Sequence, residues 1–165
     1  MDAAERLVGT HFFNPPALMR LVEIVSGLRT AEATVERARV FAASLGKEVV
    51  VCRKDSPGFI TTRVSAILRV ECMRMLDEGL ASAEDIDRAV RLAFNHPMGP
   101  LELGDFNGHD TFLRATTALA EAHGERFRPP SVLRNLVNAG MLGRKTGRGV
   151  YAYDEDGKPV PGSGS

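Results

Sequence analysis

A proline pair, Pro15-Pro16, most constrains how this chain can fold, because it cuts an apolar, β-prone opening into two pieces. Proline fixes φ and lacks an amide donor, so a strand carrying Gly9-Thr10-His11-Phe12-Phe13 must stop at Asn14. The run from Leu18 to Val25 then predicts a second strand. Leu21, Glu23 and Val25 share one face of it, and Val22 and Ile24 the other.

That division isolates a carboxylate in an apolar run. Burying Glu23 without a partner would cost several kcal/mol or hold it protonated. His11, across the proline turn, is the natural partner. A carboxylate at one ring nitrogen fixes the tautomer and raises the basicity of the other nitrogen, which makes a general acid/base. The spacing equally fits a satisfied structural histidine beside an edge-strand glutamate facing water.

The 165 residues suffice for a real core, and 44% hydrophobic with 25% charged residues is an ordinary globular balance. A net charge of zero gives no general pull toward nucleic acid or anionic membrane. No run approaches membrane length and no secretory signal opens the chain, which predicts a cytoplasmic location. Cys52 and Cys72 have neither metal nor redox spacing and read as buried free thiols, and no His, Cys, Asp and Glu cluster predicts a metal.

The remainder reads as mostly helical. Val35, Ala38, Phe41, Ala42 and Leu45 make one stripe ended by Gly46, and Lys47 to Cys52 make a strand. Ser56 and Pro57 predict the start of a long helix reaching about Glu78, with Ile60, Val64, Ile67, Leu68, Met75 and Leu76 inward. Ser82 and Asp85 resemble a capping box ahead of Ile86, Ala89, Val90 and Ala93. Further helices are expected after Pro100, around Phe112 to Ala120, and from a Ser131 cap to Gly140. His96, His109 and His123 read as turn, surface or cap residues. Gly143 to Gly149 reads as a turn into a strand at Val150 to Tyr153, and Gly162 to Ser165 as disordered.

The segment His11-Phe12-Phe13-Asn14-Pro15 followed by Leu21-Val22-Glu23 resembles the 3-hydroxyacyl-CoA dehydrogenase family. Three further blocks match in order: Asp55 to Ile60, His96 to Asp105, and Gly143 to Tyr151. The resemblance runs from about Gly9 to Tyr153. It implies oxidation of (S)-3-hydroxyacyl-CoA to 3-oxoacyl-CoA with NAD, with His11 as catalytic base and Glu23 orienting it. It also implies a substrate contact for Asn14, which reads equally as a turn former before Pro15. Where the family has a substrate-contacting asparagine, this chain has Thr62, which keeps one hydroxyl donor or is an ordinary residue of a helix's first turn.

The resemblance further implies a mainly α fold: a helical C-terminal dehydrogenase domain over residues 56–165. Residues 1–55 before it form a strand–helix–strand remnant of a Rossmann α/β domain. The family's NAD site needs a glycine-rich strand-to-helix turn, which this sequence lacks. Arg144, Lys145 and Arg148 read as a solvated face or a contact for coenzyme A phosphates. The expectation is a truncated or split enzyme acting on acyl-CoA, homodimeric through the helical domain or completed by a separate NAD-binding half. The alternative is a non-catalytic acyl-CoA-binding or dimerisation module.

Overall fold

A computed structural model describes residues 2–164. The chain forms two compact units, the first ending at Thr61 and the second beginning at Thr62.

The first unit holds β1 (Gly9–Phe12), β2 (Leu21–Val25), α1 (Glu32–Ser44) and β3 (Glu48–Cys52). The strands lie in the order β1-β2-β3. β1 runs antiparallel to β2, with His11 directly opposite Glu23. β2 and β3 are parallel, and α1 supplies the crossover that parallel neighbours require. β2 starts later than its sequence suggests because the amides of Leu18 and Met19 both donate to the Pro15 carbonyl and hold Pro16–Leu18 in a turn.

As the central strand, β2 is covered on both faces, and Val22, Glu23 and Ile24 are fully buried. Val22 and Ile24 pack with Val35 and Ala42 of α1, joined by Val8, Phe12, Ala38 and Val49. Phe41 and Leu45, expected in the α1 stripe, are more than half exposed. The helix meets this narrow sheet along the Val35–Ala38–Ala42 line, and its flanking apolar residues reach past that contact.

The second unit is helical: α2 (Thr61–Asp77, its first residue belonging to the first unit), α3 (Ala83–Phe94), α4 (Pro100–Asn107), α5 (His109–His123) and α6 (Ser131–Asn138). α2 does not begin at Ser56–Pro57. Gly58 and Phe59 have φ of 79° and 42°, a left-handed step that no α-helix continues through, and the Phe59 amide closes a turn on the Ser56 carbonyl. The inward face of α2 is Ala66, Arg69, Val70, Cys72 and Met73, while Val64 is exposed. Burial holds the Arg69 guanidinium down to about 10, and it stacks on Phe112 with 3.7 Å to the ring centroid. Ser82 caps α3 by accepting from the Asp85 amide, and Gly79 ends the α2 turn at φ 69°. At α6 the cap position is Pro130, and Ser131 is the first helical residue.

Two buried carboxylates organise this unit. Asp87 accepts from the amides of Leu101 and Glu102 at the start of α4, at 2.7 and 2.9 Å, and from the Tyr151 hydroxyl at 2.9 Å. Burial raises its proton affinity despite those three donors. Asp105 accepts from His109 Nε2 at 2.5 Å, from the amides of Val150 and Tyr151, and from the Tyr153 hydroxyl. His109 is therefore a fully buried core histidine, not a surface or cap residue. Gly149 lies so close to the Asp105 carboxylate that any Cβ there would collide with it. Val150–Tyr153 makes only isolated bridges: the Val150 and Tyr151 amides donate to the Asp105 carboxylate, the Ala152 amide to the Ser163 hydroxyl and the Tyr153 amide to the Gly147 carbonyl. Gly162–Gly164 is not loose: Gly164 accepts from the Ala83 amide and the Gly162 amide donates to Glu84. Ser165 lies outside the described residues. Cys52 and Cys72 are free and buried. No helix among the described residues is long and apolar enough to cross a membrane.

Candidate functional site

The first unit brings His11 and Glu23 together. Antiparallel register sets them opposite one another, and the His11 Nδ1 lies 2.7 Å from Glu23 Oε2. The imidazole is held between two phenyl rings, Phe13 at 4.7 Å and Phe59 at 5.6 Å between centroids. About a third of the His11 side chain remains exposed, whereas Glu23 is wholly buried. A carboxylate only accepts, so Nδ1 carries the proton and Nε2 holds the lone pair. That is the state in which a histidine can take a proton.

Glu23 has more partners than its sequence neighbours suggest. Its Oε1 accepts from the amides of Ile60 and Thr61 at 3.2 and 2.9 Å, and its Oε2 accepts from the Thr61 hydroxyl at 3.0 Å. Burial pushes the carboxyl's proton affinity up. The bonds from His11, from the Thr61 amide and hydroxyl and from the Ile60 amide outweigh it, so Glu23 titrates below the ordinary glutamate range. A carboxyl so lowered stabilises the fold at pH above its unfolded value, and that contribution disappears as pH falls through the folded one. Acidification below the usual glutamate range is therefore expected to loosen the first unit and break the His11 contact, as an NMR pH titration of residues 9–25 would show.

Asn14 is exposed in the turn that follows β1. Thr62 is half-buried in the first turn of α2 and is the first residue of the second unit. Sequence reasoning singled out Thr62 and passed over Thr61. The available signal was the carboxylate itself: a buried Glu23 needs donors for four lone-pair sites, and His11 supplies only one. Of the basic trio, Lys145 pairs with Asp110 at 2.6 Å and Arg144 lies over Phe106. Both are thus engaged within the unit.

The loop joining β2 to α1 bears on whether a dinucleotide fits. Three of its amides are committed: Gly27 N–H to Thr30 Oγ1, Thr30 N–H to the Gly27 carbonyl, and Ala31 N–H to the Glu5 carbonyl. The Thr30 hydroxyl donates onward to Leu7. Glu32 adds a negative charge in the first turn of α1. A phosphate-binding turn needs free amides and no negative charge at the helix start, so this loop is poorly suited to a dinucleotide's phosphates. A cleft of about 460 Å³ beside this loop is lined by Leu7, Val8, Gly9, Val25 and Leu28, and does not include the His11–Glu23 pair.

A family profile described as "3-hydroxyacyl-CoA dehydrogenase, C-terminal domain" matches residues 58–153, and one described as "3-hydroxyacyl-CoA dehydrogenase, NAD binding domain" matches residues 1–56. The chain is 46% identical over 161 residues to a 3-hydroxybutyryl-CoA dehydrogenase of Bradyrhizobium diazoefficiens, covering 97% of this chain and 54% of that one. The crystal structure of (S)-3-hydroxybutyryl-CoA dehydrogenase PaaH1 from Ralstonia eutropha is similar with a TM-score of 0.88 and 43% identity, over 92% of this chain and 53% of that one. That of M. tuberculosis FadB2 is similar with a TM-score of 0.87 and 41% identity, over 91% and 53%. The chain thus spans about half the length of the curated relatives it matches.

Proposed function

Because the chain belongs to the 3-hydroxyacyl-CoA dehydrogenase family, we propose that it carries the proton-handling half of the oxidation of an (S)-3-hydroxyacyl-CoA to the 3-oxoacyl-CoA. The observation that carries this reading is the His11–Glu23 contact of 2.7 Å, with Glu23 buried and the imidazole partly open. NAD held by a dinucleotide-binding half would supply the acceptor for the hydride at C3. Here His11 Nε2 takes the proton of the 3-hydroxyl as the C3–O bond gains double-bond character, and Glu23 steadies the imidazolium that forms. In the reverse direction His11 returns that proton. Asn14 and Thr62 enter the same reading as substrate-contacting residues through the family resemblance, and each side chain can donate a hydrogen bond.

In this reading residues 1–55 are the end of a dinucleotide-binding domain and residues 56–165 the helical domain. The three-stranded sheet with its two edge strands, and the succession of helices after it, support that division. A homodimer through the helical unit belongs to the same reading. Val64, Leu92, Phe94 and Phe106, apolar and more than half exposed, support it.

The committed amides before α1 favour one second reading, a non-catalytic module that binds acyl-CoA or dimerises. A single assay separates the two. With these 165 residues joined to the dinucleotide-binding half of a family member, acetoacetyl-CoA is expected to drive NADH oxidation, followed by absorbance. His11→Ala is expected to lower turnover by about 10²–10⁴-fold, the usual contribution of a general acid/base. Acetoacetyl-CoA binding without turnover in the wild-type assembly would replace this reading with the second.

A further inference from the structure

We propose that Thr61 is a positioning residue, whose hydroxyl shares Glu23 Oε2 with the His11 imidazole and so sets how strongly that oxygen holds the His11 proton. The proposal rests on the reading of His11 as the proton acceptor.

The geometry at the carboxylate carries it. An ionised glutamate offers about four lone-pair sites and can only accept. Here all four have donors: Ile60 N–H and Thr61 N–H on Oε1, His11 Nδ1–H and Thr61 Oγ1–H on Oε2. Glu23 is fully buried, so its oxygens are bonded by these donors and not by bulk water. Two of the four are fixed backbone amides. The Thr61 hydroxyl is the one partner besides His11 that a substitution can remove, and it sits on the oxygen that faces the imidazole. At 3.0 Å against 2.7 Å it is the weaker of the two bonds on Oε2, yet it draws charge from the same atom.

The two backbone amides on Oε1 hold the carboxylate's rotation, so Oε2 stays within reach of Nδ1 when the hydroxyl is removed. What the hydroxyl does to His11 is electrostatic: it partly neutralises Oε2, so the carboxylate supports an imidazolium less strongly than it would alone. Among the described residues of the first unit, no other ionised group acts on the carboxylate. Cys52, at the end of β3, is the other titratable group beside Glu23, and burial and the Glu23 charge together push its thiol up, so it stays neutral. Phe13 and Phe59 flank the ring without charge.

Thr61→Val removes the hydroxyl while keeping the side chain's shape and the amide bond to Oε1. Loss of a donor to the anion strengthens its pull on His11, so the imidazole's titration midpoint moves up. On the 165-residue chain, NMR of the His11 ring across pH is expected to show a rise of about half a unit to one unit, where one unit is a tenfold change in proton affinity. Thr61→Ser, which keeps the hydroxyl, is expected to return the midpoint to that of the wild type, and Thr61→Ala to repeat the valine result should valine pack poorly. In the NAD-competent assembly the acid limb of the oxidation profile moves up by the same amount, with KM little changed. A folded Thr61→Val chain whose His11 midpoint lies within about 0.2 unit of wild type would overturn the proposal, as would a serine variant that titrates like valine. If turnover survived His11→Ala, the functional reading would fail while the titration result still stood, so the two failures are distinguishable.

Discussion

Asp105→Ala is expected to lower the unfolding free energy of the helical unit by about 3–5 kcal/mol, the range for removing one partner of a buried, hydrogen-bonded charge. The carboxylate is fully buried and accepts four donors drawn from two distant parts of the chain. Alanine leaves the amides of Val150 and Tyr151, the Tyr153 hydroxyl and His109 Nε2 without acceptors in a region closed to water. Unsatisfied buried donors are the costly outcome of deleting a hydrogen-bond partner. Gly143 and Gly149 approach Asp105 too closely to carry a side chain, so the 143–153 segment is shaped around this one residue. Urea unfolding followed by circular dichroism measures the loss, and hydrogen exchange at Val150 and Tyr151 locates it. Asp110→Ala is the control: its pair with Lys145 is at the surface and screened by solvent, so its removal should change little. Equal losses from the two variants would contradict the central role assigned to Asp105.

Glu23→Gln is expected to reduce turnover in the NAD-competent assembly by about 10³–10⁴-fold, with the chain folded but less stable and substrate affinity little changed. The magnitude is that seen when the carboxylate of a serine-protease triad becomes an amide. The glutamine oxygen must stay with the Ile60 and Thr61 amides, because those donors cannot rotate away. The NH₂ then occupies the Oε2 position and donates to Nδ1. His11 responds by moving its proton to Nε2, the nitrogen needed as base. The Thr61 hydroxyl can turn to accept from the new NH₂, so the packing survives. Nitrogen chemical shifts of the His11 ring report the tautomer directly on the 165-residue chain. A ring that keeps its proton on Nδ1 in Glu23→Gln would contradict the argument even before any rate is measured.

Asp87 shows why the helical unit's interior was only partly readable. The residue lies one position after Ile86 in an ordinary amphipathic pattern, and alone it reads as the polar flank of α3. Its burial depends on the start of α4, where Leu101 and Glu102 expose amides that need an acceptor, and on a tyrosine 64 residues away. His109 is similar. Next to Gly108 it looks like a cap, yet it is the partner of a carboxylate one turn earlier, enclosed by the returning C-terminal segment. Arg69, in the middle of α2, interrupts the apolar stripe expected from Ile67, Leu68, Met75 and Leu76, and it packs inward on Phe112.

The sequence by itself determined what depends on a few neighbouring residues. Prolines ended β1, Ser82 capped α3, and glycines at 79, 124 and 140 closed helices, since each effect acts through local φ, a missing amide or a cap within three or four residues. The His11–Glu23 pairing was legible because both residues lie on strands that are neighbours in sequence and pair antiparallel. The residues that fill the remaining acceptor sites of Glu23, and the carboxylates that are buried, were settled by tertiary packing. Most of those contacts join residues 14 to 64 positions apart. The physical reason is that burial and hydrogen-bond satisfaction are properties of assembled surfaces: a buried polar group must find donors from whichever segment packs against it, and no local pattern names that segment.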